Sequence, residues 1–457
     1  MVVFPGAVVR GRYKPIVVTV IIVINTLMYF HTSLSSDNPL LASSTRSFYE
    51  YGFIPYYLLI NPLEGLRRVF ISMFVHADII HIFFNMYFLW LFGSRLEGFI
   101  GHGKTLLLYL LSGLSAVLFH VAFTTIGGYD ALGIPAVGAS GAISGVLGAY
   151  LLTLPRTKLV MCWFFLLMPF CFSLSAEAFM VIWFIQQVLY GYMRLGGVAY
   201  FAHIGGFVMG LLLAPLLTRH VVKPGLAPEV LRYIERVLGI IIPRPRGVSP
   251  ATKAILSLLL LVIAGSFTYE SLTTGMVQLY VSNIEVICIE GCREAMEGVQ
   301  SDQVIFALTS RGLIGSTSIQ ENVRILINRL IGTPYMYNAD LASREVYVEW
   351  SGFVGVLGVS VPVVISMTAK YDELGVVVES SGMMRTRSVI IRESRVFEGG
   401  LMTLNFIITS SRVHHAGYAL SGFCLLSAGI SLLAIGSIIA SKGMTFSTRE
   451  EFFTPYL

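Results

Sequence analysis

Charge is scarce in this 457-residue chain: Asp, Glu, Lys and Arg together make up 12% of it. An ordinary soluble protein carries about twice that share. The scarcity excludes a disordered chain and argues against a single soluble domain. Cysteine is scarce too, and five in the whole chain exclude a disulfide-dense secreted scaffold. There is no strong excess of either sign, the formal net charge being +5. The basic residues sit between apolar runs, which fits membrane orientation better than nucleic-acid binding, so no nucleic-acid partner is expected.

What is abundant is apolar: 55% of residues, gathered into runs of the length that spans a bilayer. Candidate spans fall near 15–31, 77–94, 105–125, 138–154, 175–193, 201–218, 254–270 and 416–440. The fold class is therefore an α-helical polytopic membrane protein embedded in a lipid bilayer. The apolar stretch 159–173, interrupted by Pro169, reads as interfacial or as part of a long fifth helix. No small-residue cleavage site follows the first span, so an uncleaved helix is expected. With a cytoplasmic N-terminus, sixteen membrane-proximal Lys and Arg fall inside, among them Arg10, Arg156, Arg219 and Lys442. Only Arg46, Arg67, Arg68 and Arg194 fall outside. That bias uses all eight spans and places both termini in the cytoplasm.

Residues 271–412 differ, holding 14 acidic and 11 basic residues. Gln303–Thr309, Glu345–Trp350, Val356–Met367, Gly375–Glu379, Val389–Arg392 and Leu401–Ile408 read as strands. Ser318 to Glu321 reads as a capping box ahead of a helix over 322–331. The domain order is a membrane core over 1–218, a basic cytoplasmic connector over 219–253 and a seventh helix over 254–270. A mostly β, extracytoplasmic domain over 271–412, an eighth helix over 416–440 and a cytoplasmic tail over 441–457 follow. Cys288 and Cys292 in the outer domain either pair or stay as two thiols, while Cys162, Cys171 and Cys424 read as core residues.

Polar residues inside a span are costly and invite a functional reading. Gly138-Ala139-Ser140-Gly141 opens the fourth span, where free helix N–H groups could hold an oxyanion. Alone, Ser140 reads more simply as an N-cap. His203 lies in the sixth span, toward the same membrane side, and alone it reads as a structural histidine. Gly206 to Gly210 forms a GxxxG motif, and Gly141, Gly145 and Ala149 make a small face on the fourth span. Together these suit a direct Ser–His hydrogen bond. His81 and Asn85, at i and i+4 of the second span, share one face and either complete an oxyanion site or form an interhelical polar pair. His76, Asp78 and His81 lack metal-ligand spacing, so no metal or other cofactor is expected. His31, His102, His120, His220, His414 and His415 form no constellation. With no Asp or Glu in the fourth or sixth span, the expected machinery is a Ser–His dyad.

Over about residues 10–218 the chain resembles the rhomboid family of intramembrane serine proteases. The resemblance rests on three ordered motifs: His81-Ile-Phe-Phe-Asn85, VGASGAISGVLGAY and VAYFAHIGGFVMG. It implies a six-helix rhomboid-like core with a water-filled cavity, two further helices lying outside it and flanking the β domain. It implies Ser140 as nucleophile, His203 as general base, and His81, Asn85 and the Ser140 N–H as the oxyanion hole. Gly138, Gly141, Gly206 and Gly210 would shape the motif, and Trp183 and Phe184 on the fifth helix would be gate residues. The implied substrates are single-span membrane proteins, cut near the outer membrane face; apart from the resemblance, the outer domain is expected to bind substrate or a regulatory partner. The alternative is an inactive relative that binds or escorts membrane segments, and a transporter finds no support in matched broken helices. Three departures stand out, one being the β domain with its two flanking helices after residue 218, which lies outside the common core. Ser144 replaces the aromatic usual four residues after the nucleophile, and Arg67-Arg68 replaces the Trp-Arg usual in the first outer loop.

Overall fold

The computed structural model describes residues 2–5, 13–36, 38–165, 168–218, 247–291, 298–309, 312–315, 320–356, 358–392 and 395–441. A short strand β1 (Val2–Pro5) precedes α1 (Ile16–Ser33). Three short helices follow in one long loop: α2 (Thr45–Tyr51), α3 (Tyr57–Ile60) and α4 (Pro62–Ser72). Next come α5 (Ile79–Phe88), a π turn at Leu89–Gly93, α6 (Ser94–Ile100) and α7 (His102–Gly127). The core continues with α8 (Ser140–Thr153), strands β2 (Lys158–Phe165) and β3 (Met168–Ser175), α9 (Ala176–Tyr192) and α10 (Tyr200–Thr218). Among the described residues, six segments are long and apolar enough to cross a membrane: α1, Ile79–Ile100, α7, α10, Pro250–Thr274 and Ala416–Ala440.

The helix α8 is shorter, at 14 residues, and every residue from Gly141 to Thr153 is buried. At 1.5 Å per residue it is about 21 Å long, less than the ~30 Å of a hydrocarbon layer. A helix enclosed by others can be short, because no lipid-facing surface has to be matched. Its glycines permit the enclosure. A Cβ on Gly148 would lie 2.1 Å from the Phe207 carbonyl oxygen, and one on Gly145 1.9 Å from Ser112 Oγ. On the facing helix, Gly206 and Gly210 lie equally close to the carbonyls of Gly141 and Gly145. Ser115 on α7 donates to the Gly205 carbonyl at 2.9 Å, closing a three-helix centre of α7, α8 and α10.

Glu97 on α6 is fully buried. Its carboxylate accepts the backbone N–H groups of Val17 and Val18 at 2.8 and 2.9 Å. These are orphan donors at the start of α1, where no side chain caps the helix, so a negative charge there is doubly favoured. His102 Nδ1 meets the same carboxylate at 2.5 Å.

The loop between α1 and α5 is anchored by Arg68. Its Nη1 donates to the carbonyls of Tyr49 and Gly52 at 2.7 and 3.0 Å, and its Nε donates to Glu64 at 2.7 Å. The guanidinium lies 4.4 Å from the centre of the Tyr57 ring. The loss of the usual Trp before this Arg therefore leaves the loop tied down. Arg67 and Arg68 also hold the Glu64 carboxyl down to about 2.

The described residues of the 159–173 run, 159–165 and 168–173, do not extend the fifth helix. They belong to the antiparallel hairpin β2–β3, which β1 extends on the β2 side into a three-stranded sheet. The run LVMCWFF is β-branched and aromatic, which suits a strand. Cys171 is exposed and disulfide-bonded, not a core thiol, and its Cα pairs with that of Cys162 in the hairpin register. Cys424 is free and buried.

Most of the connector, 219–246, lies outside the described residues. The next helix, α11 (Pro250–Thr274), starts at Pro250, so it takes in the last four residues assigned to the connector. A seven-stranded antiparallel sheet follows, in the order β6-β5-β4-β10-β9-β8-β7. Its strands are β4 (Gln278–Glu290), β5 (Val299–Thr309), β6 (Gly312–Gly315), β7 (Glu345–Val356), β8 (Val359–Tyr371), β9 (Val377–Arg392) and β10 (Arg395–Val413). Four of the six expected strand runs lie wholly within these elements; Val356–Met367 crosses from the end of β7 into β8, Gly375–Glu379 begins two residues before β9, and β4 and β6 were missed. The helix α12 (Glu321–Leu330) packs Val323, Leu326, Ile327 and Leu330 into the core of the sheet. Its expected cap residue Ser318 lies outside the described residues, and Gln320 stands at the N-cap. Cys288 is disulfide-bonded, and Cys292 lies outside the described residues.

The final helix is α13 (Ala416–Ala440). Because Leu279 pairs with Val413, the central strands β4 and β10 run directly into α11 and α13 and bring these helices side by side. Opposite the α12-covered face, Leu279, Val281, Ile305 and Ala307 pack on Phe53, Ile54 and Leu59 of the long loop. His415 Nε2 donates to the Leu59 carbonyl at 2.7 Å. The β domain is thus seated on the end of the core from which α8 starts.

Replacing Glu97 by Ala leaves two buried N–H groups at the start of α1 without an acceptor. We expect a loss of about 2–4 kcal/mol, read as a lowered thermal midpoint in detergent; a midpoint equal to wild type would contradict the assigned role.

Candidate active site

The fourth span places Ser140 as the first residue of α8, not as its cap. The N-cap position belongs to Ala139, and no side chain bonds there. The first N–H groups of α8 are therefore free of intrahelical partners, and the Ser140 hydroxyl is turned to another use. It lies 2.8 Å from His203 Nε2. The backbone contact between α8 and α10 makes the distance possible: a Cβ on Gly206 would stand 1.8 Å from the Gly141 carbonyl oxygen.

The second ring nitrogen of His203, Nδ1, lies 2.8 Å from Gln187 Oε1 on α9. Gln187 is 5% exposed. Sequence reasoning missed this residue because it searched the fourth and sixth spans for a third member and only for a carboxylate. The signal was present as an amide pair, Gln186-Gln187, in the otherwise apolar run of the fifth span.

His81 and Asn85 face the same cavity, of about 490 Å³, as Ser140 and His203. Asn85 donates one amide N–H to the His81 carbonyl at 2.9 Å, and its second N–H is left for a further acceptor. The Ala77 N–H donates to His81 Nδ1 at 3.4 Å, so the His81 ring proton sits on Nε2. The α5 turn is set by Asp78, whose carboxylate caps the helix through the His81 N–H at 2.8 Å. His76 meets His81 edge to face with centroids 5.0 Å apart. Burial first, then the neighbouring His81, push the His76 imidazole down to about 3. Among the described residues no group of His, Cys, Asp and Glu is arranged to hold a metal.

Gly138 has two reasons to be glycine. Its φ is +123°, a region that side-chain-bearing residues avoid. A Cβ there would lie 2.9 Å from His81 Nε2 and 3.7 Å from Ser140 Oγ. The same numbers show that both groups converge on one small volume. Gly141, by contrast, serves packing: a Cβ there would lie 2.6 Å from the Ala116 side chain.

Trp183 lines the cavity, its ring centroid 6.2 Å from that of His203. Phe184 does not: it is fully buried and stacks on Phe207 at 4.6 Å, so of the two expected gate residues only Trp183 is placed to meet a cavity occupant. Ser144 also lines the cavity, but its hydroxyl donates to the Ser140 carbonyl at 2.7 Å. The helix α9 is braced from behind by α11. Glu177 accepts the Ser249 N–H at 2.7 Å at one end, and Tyr192 and Ser266 share a hydrogen bond of 2.6 Å near the other.

Residues 64–220 match the family model of the Rhomboid domain. The chain is 29% identical to Rhomboid protein 1, mitochondrial, of Saccharomyces cerevisiae, over 37% of this chain and 48% of that protein. It is 32% identical to RHOMBOID-like protein 1 of Arabidopsis thaliana, over 39% of this chain and 41% of that protein. It is also 28% identical to Inactive RHOMBOID-like protein 8 of Arabidopsis thaliana, over 38% of this chain and 44% of that protein. The chain spans about half or less of the length of these curated relatives.

Gly138→Ala forces a Cβ into the His81 ring and a strained φ. The expected result is a destabilisation of about 1–3 kcal/mol in thermal unfolding, together with slower labelling of Ser140 by a fluorophosphonate; unchanged labelling would show that His81 tolerates displacement.

Proposed function

Because residues 64–220 form a rhomboid domain, we propose that this chain is an intramembrane serine endopeptidase acting on single-span membrane proteins. The observation that carries the reading is the 2.8 Å contact between Ser140 Oγ and His203 Nε2 on the wall of a cavity that also holds His81 and Asn85. In this reading Ser140 Oγ attacks the scissile carbonyl carbon while its proton passes to His203 Nε2. The oxyanion is held by the Ser140 N–H, Asn85 Nδ2–H and His81 Nε2–H, donors that are already in place before the charge develops. Collapse breaks the C–N bond, and His203 returns its proton to the leaving amine. A water, deprotonated by His203, then attacks the acyl carbon; the bond to Ser140 Oγ breaks and His203 returns the proton to Oγ, releasing the acid.

A peptide bond in an intact helix is shielded by its own hydrogen bonds, so substrates should carry locally weak helices near the cut. Trp183, on the cavity wall beside His203, is our gate residue. The charge imbalance between loops, sixteen basic residues against four, supports cytoplasmic termini. In that orientation Ser140 and the β domain share the extracytoplasmic side, with α11 and α13 crossing the membrane. The β domain sits on the long loop beside the site, which supports a role in recruiting substrate or regulating its access.

The second reading, a non-catalytic binder or escort of membrane segments, is favoured only by the similarity to a relative whose name calls it inactive. The two readings part in liposomes holding a generic single-span substrate. Wild type should cleave it and Ser140→Ala should not, whereas Asn85→Ala should lower kcat about 10²-fold or more. Cleavage retained by Ser140→Ala would end the protease reading, and absence of both cleavage and fluorophosphonate labelling in wild type would favour the escort.

Replacing 278–413 by a short Gly/Ser loop should alter the choice among substrates yet leave the generic one cut. It should also lower the thermal midpoint, because Phe53, Ile54 and Leu59 lose their cover. Unchanged substrate preference would remove the recruiting role.

A further inference from the structure

We propose that Gln187 is a positioning residue for His203: its Oε1 holds the Nδ1 proton and so fixes the imidazole in the tautomer and orientation that can receive the Ser140 proton. The inference rests on the protease reading for its catalytic meaning, and on geometry for the tautomer. Each ring nitrogen of His203 has one partner at 2.8 Å, Gln187 Oε1 on Nδ1 and Ser140 Oγ on Nε2. A carbonyl oxygen can only accept, so Nδ1 carries the hydrogen and a neutral ring then has its lone pair on Nε2. The opposite tautomer would turn two lone pairs toward each other at Gln187 and present Ser140 with a proton instead of a base.

Nothing on α8 performs this task. Ser144, one turn after the nucleophile, spends its hydroxyl on the Ser140 carbonyl. The constraint on the ring comes instead from α9. Trp183 and Gln187 stand four residues apart on one face of that helix. One sets its indole 6.2 Å from the His203 ring, the other bonds its Nδ1. Gln187 is almost fully buried, so water competes little for the bond. An amide orients the ring without placing a second ion in the bundle, where an unneutralised carboxylate would be costly. Since α11 braces both ends of α9, the position of Gln187 depends on a helix outside residues 64–220.

The test uses full-length protein in liposomes, with Gln187→Leu and Gln187→Glu beside wild type. Leu removes the acceptor at similar size; Glu keeps it. In Gln187→Leu we expect kcat to fall about 10²-fold, the scale of general-base assistance, with KM within about twofold of wild type. In Gln187→Glu most of the activity should return. Wild-type kcat in the Leu variant, or an equal loss in both, would overturn the proposal. A second readout does not need turnover: ¹⁵N spectra of histidine-labelled protein, with His203 identified by its loss in His203→Ala. Wild type and Gln187→Glu should show His203 protonated at Nδ1, and Gln187→Leu a mixture of tautomers. An Nε2-protonated His203 in wild type would overturn the proposal. An Nδ1-protonated ring in a chain that cleaves nothing would uphold the positioning and refute the protease.

Discussion

A Cβ on Gly206 would stand 1.8 Å from the Gly141 carbonyl oxygen, and one on Gly210 2.0 Å from that of Gly145, so α8 and α10 touch backbone to backbone. In lipid no hydrophobic drive pushes helices together, and close approach is won by packing and hydrogen bonds. Once these two helices meet, Ser140 at the start of α8 and His203 one turn into α10 come within 2.8 Å. The α8 helix is short, and burial of Gly141 to Thr153 leaves that stretch no exposed surface to match to lipid. The site is therefore a consequence of the helix contact, not an addition to it.

Polar groups in the bundle have little water to turn to, and around the site their partners form chains. Ala77 sets the His81 tautomer, the His81 carbonyl takes one Asn85 N–H, and Gln187 takes Nδ1 of His203. Glu97 does the same work away from the site by closing the first turn of α1. The bonds at the site orient donors and acceptors toward one cavity, while the one at Glu97 only holds a helix in place.

The appended half is joined to this core by geometry of its own. Neighbouring strands β4 and β10 continue into α11 and α13, so sheet pairing dictates helix pairing. The sheet buries its α12 side in a private core and lays part of its other side on the loop that Arg68 anchors. Through α11 the same half also braces α9, the helix that carries Trp183 and Gln187. The groups flanking His203 are thus reached by elements that lie outside the matched domain.

The sequence by itself determined the membrane class, the helical runs and the β-rich segment, because apolar length and alternation are local properties that depend on no partner. It also marked Ser140, His203, His81 and Asn85, since polar residues stand out against an apolar span. Other features were legible only in three dimensions. The 159–173 run is as apolar as a helix span but pairs as a hairpin, since short apolar runs suit either state and only a partner strand decides between them. Phe184 and Trp183 are adjacent in sequence, yet one is sealed in the core and the other lines the cavity, because neighbours in a helix point about 100° apart. Gln187 was invisible as a partner of His203 because they lie on different helices, and no spacing along the chain encodes that distance. What tertiary structure alone decided is which polar groups meet, since that depends on how closely the glycine faces let the backbones approach.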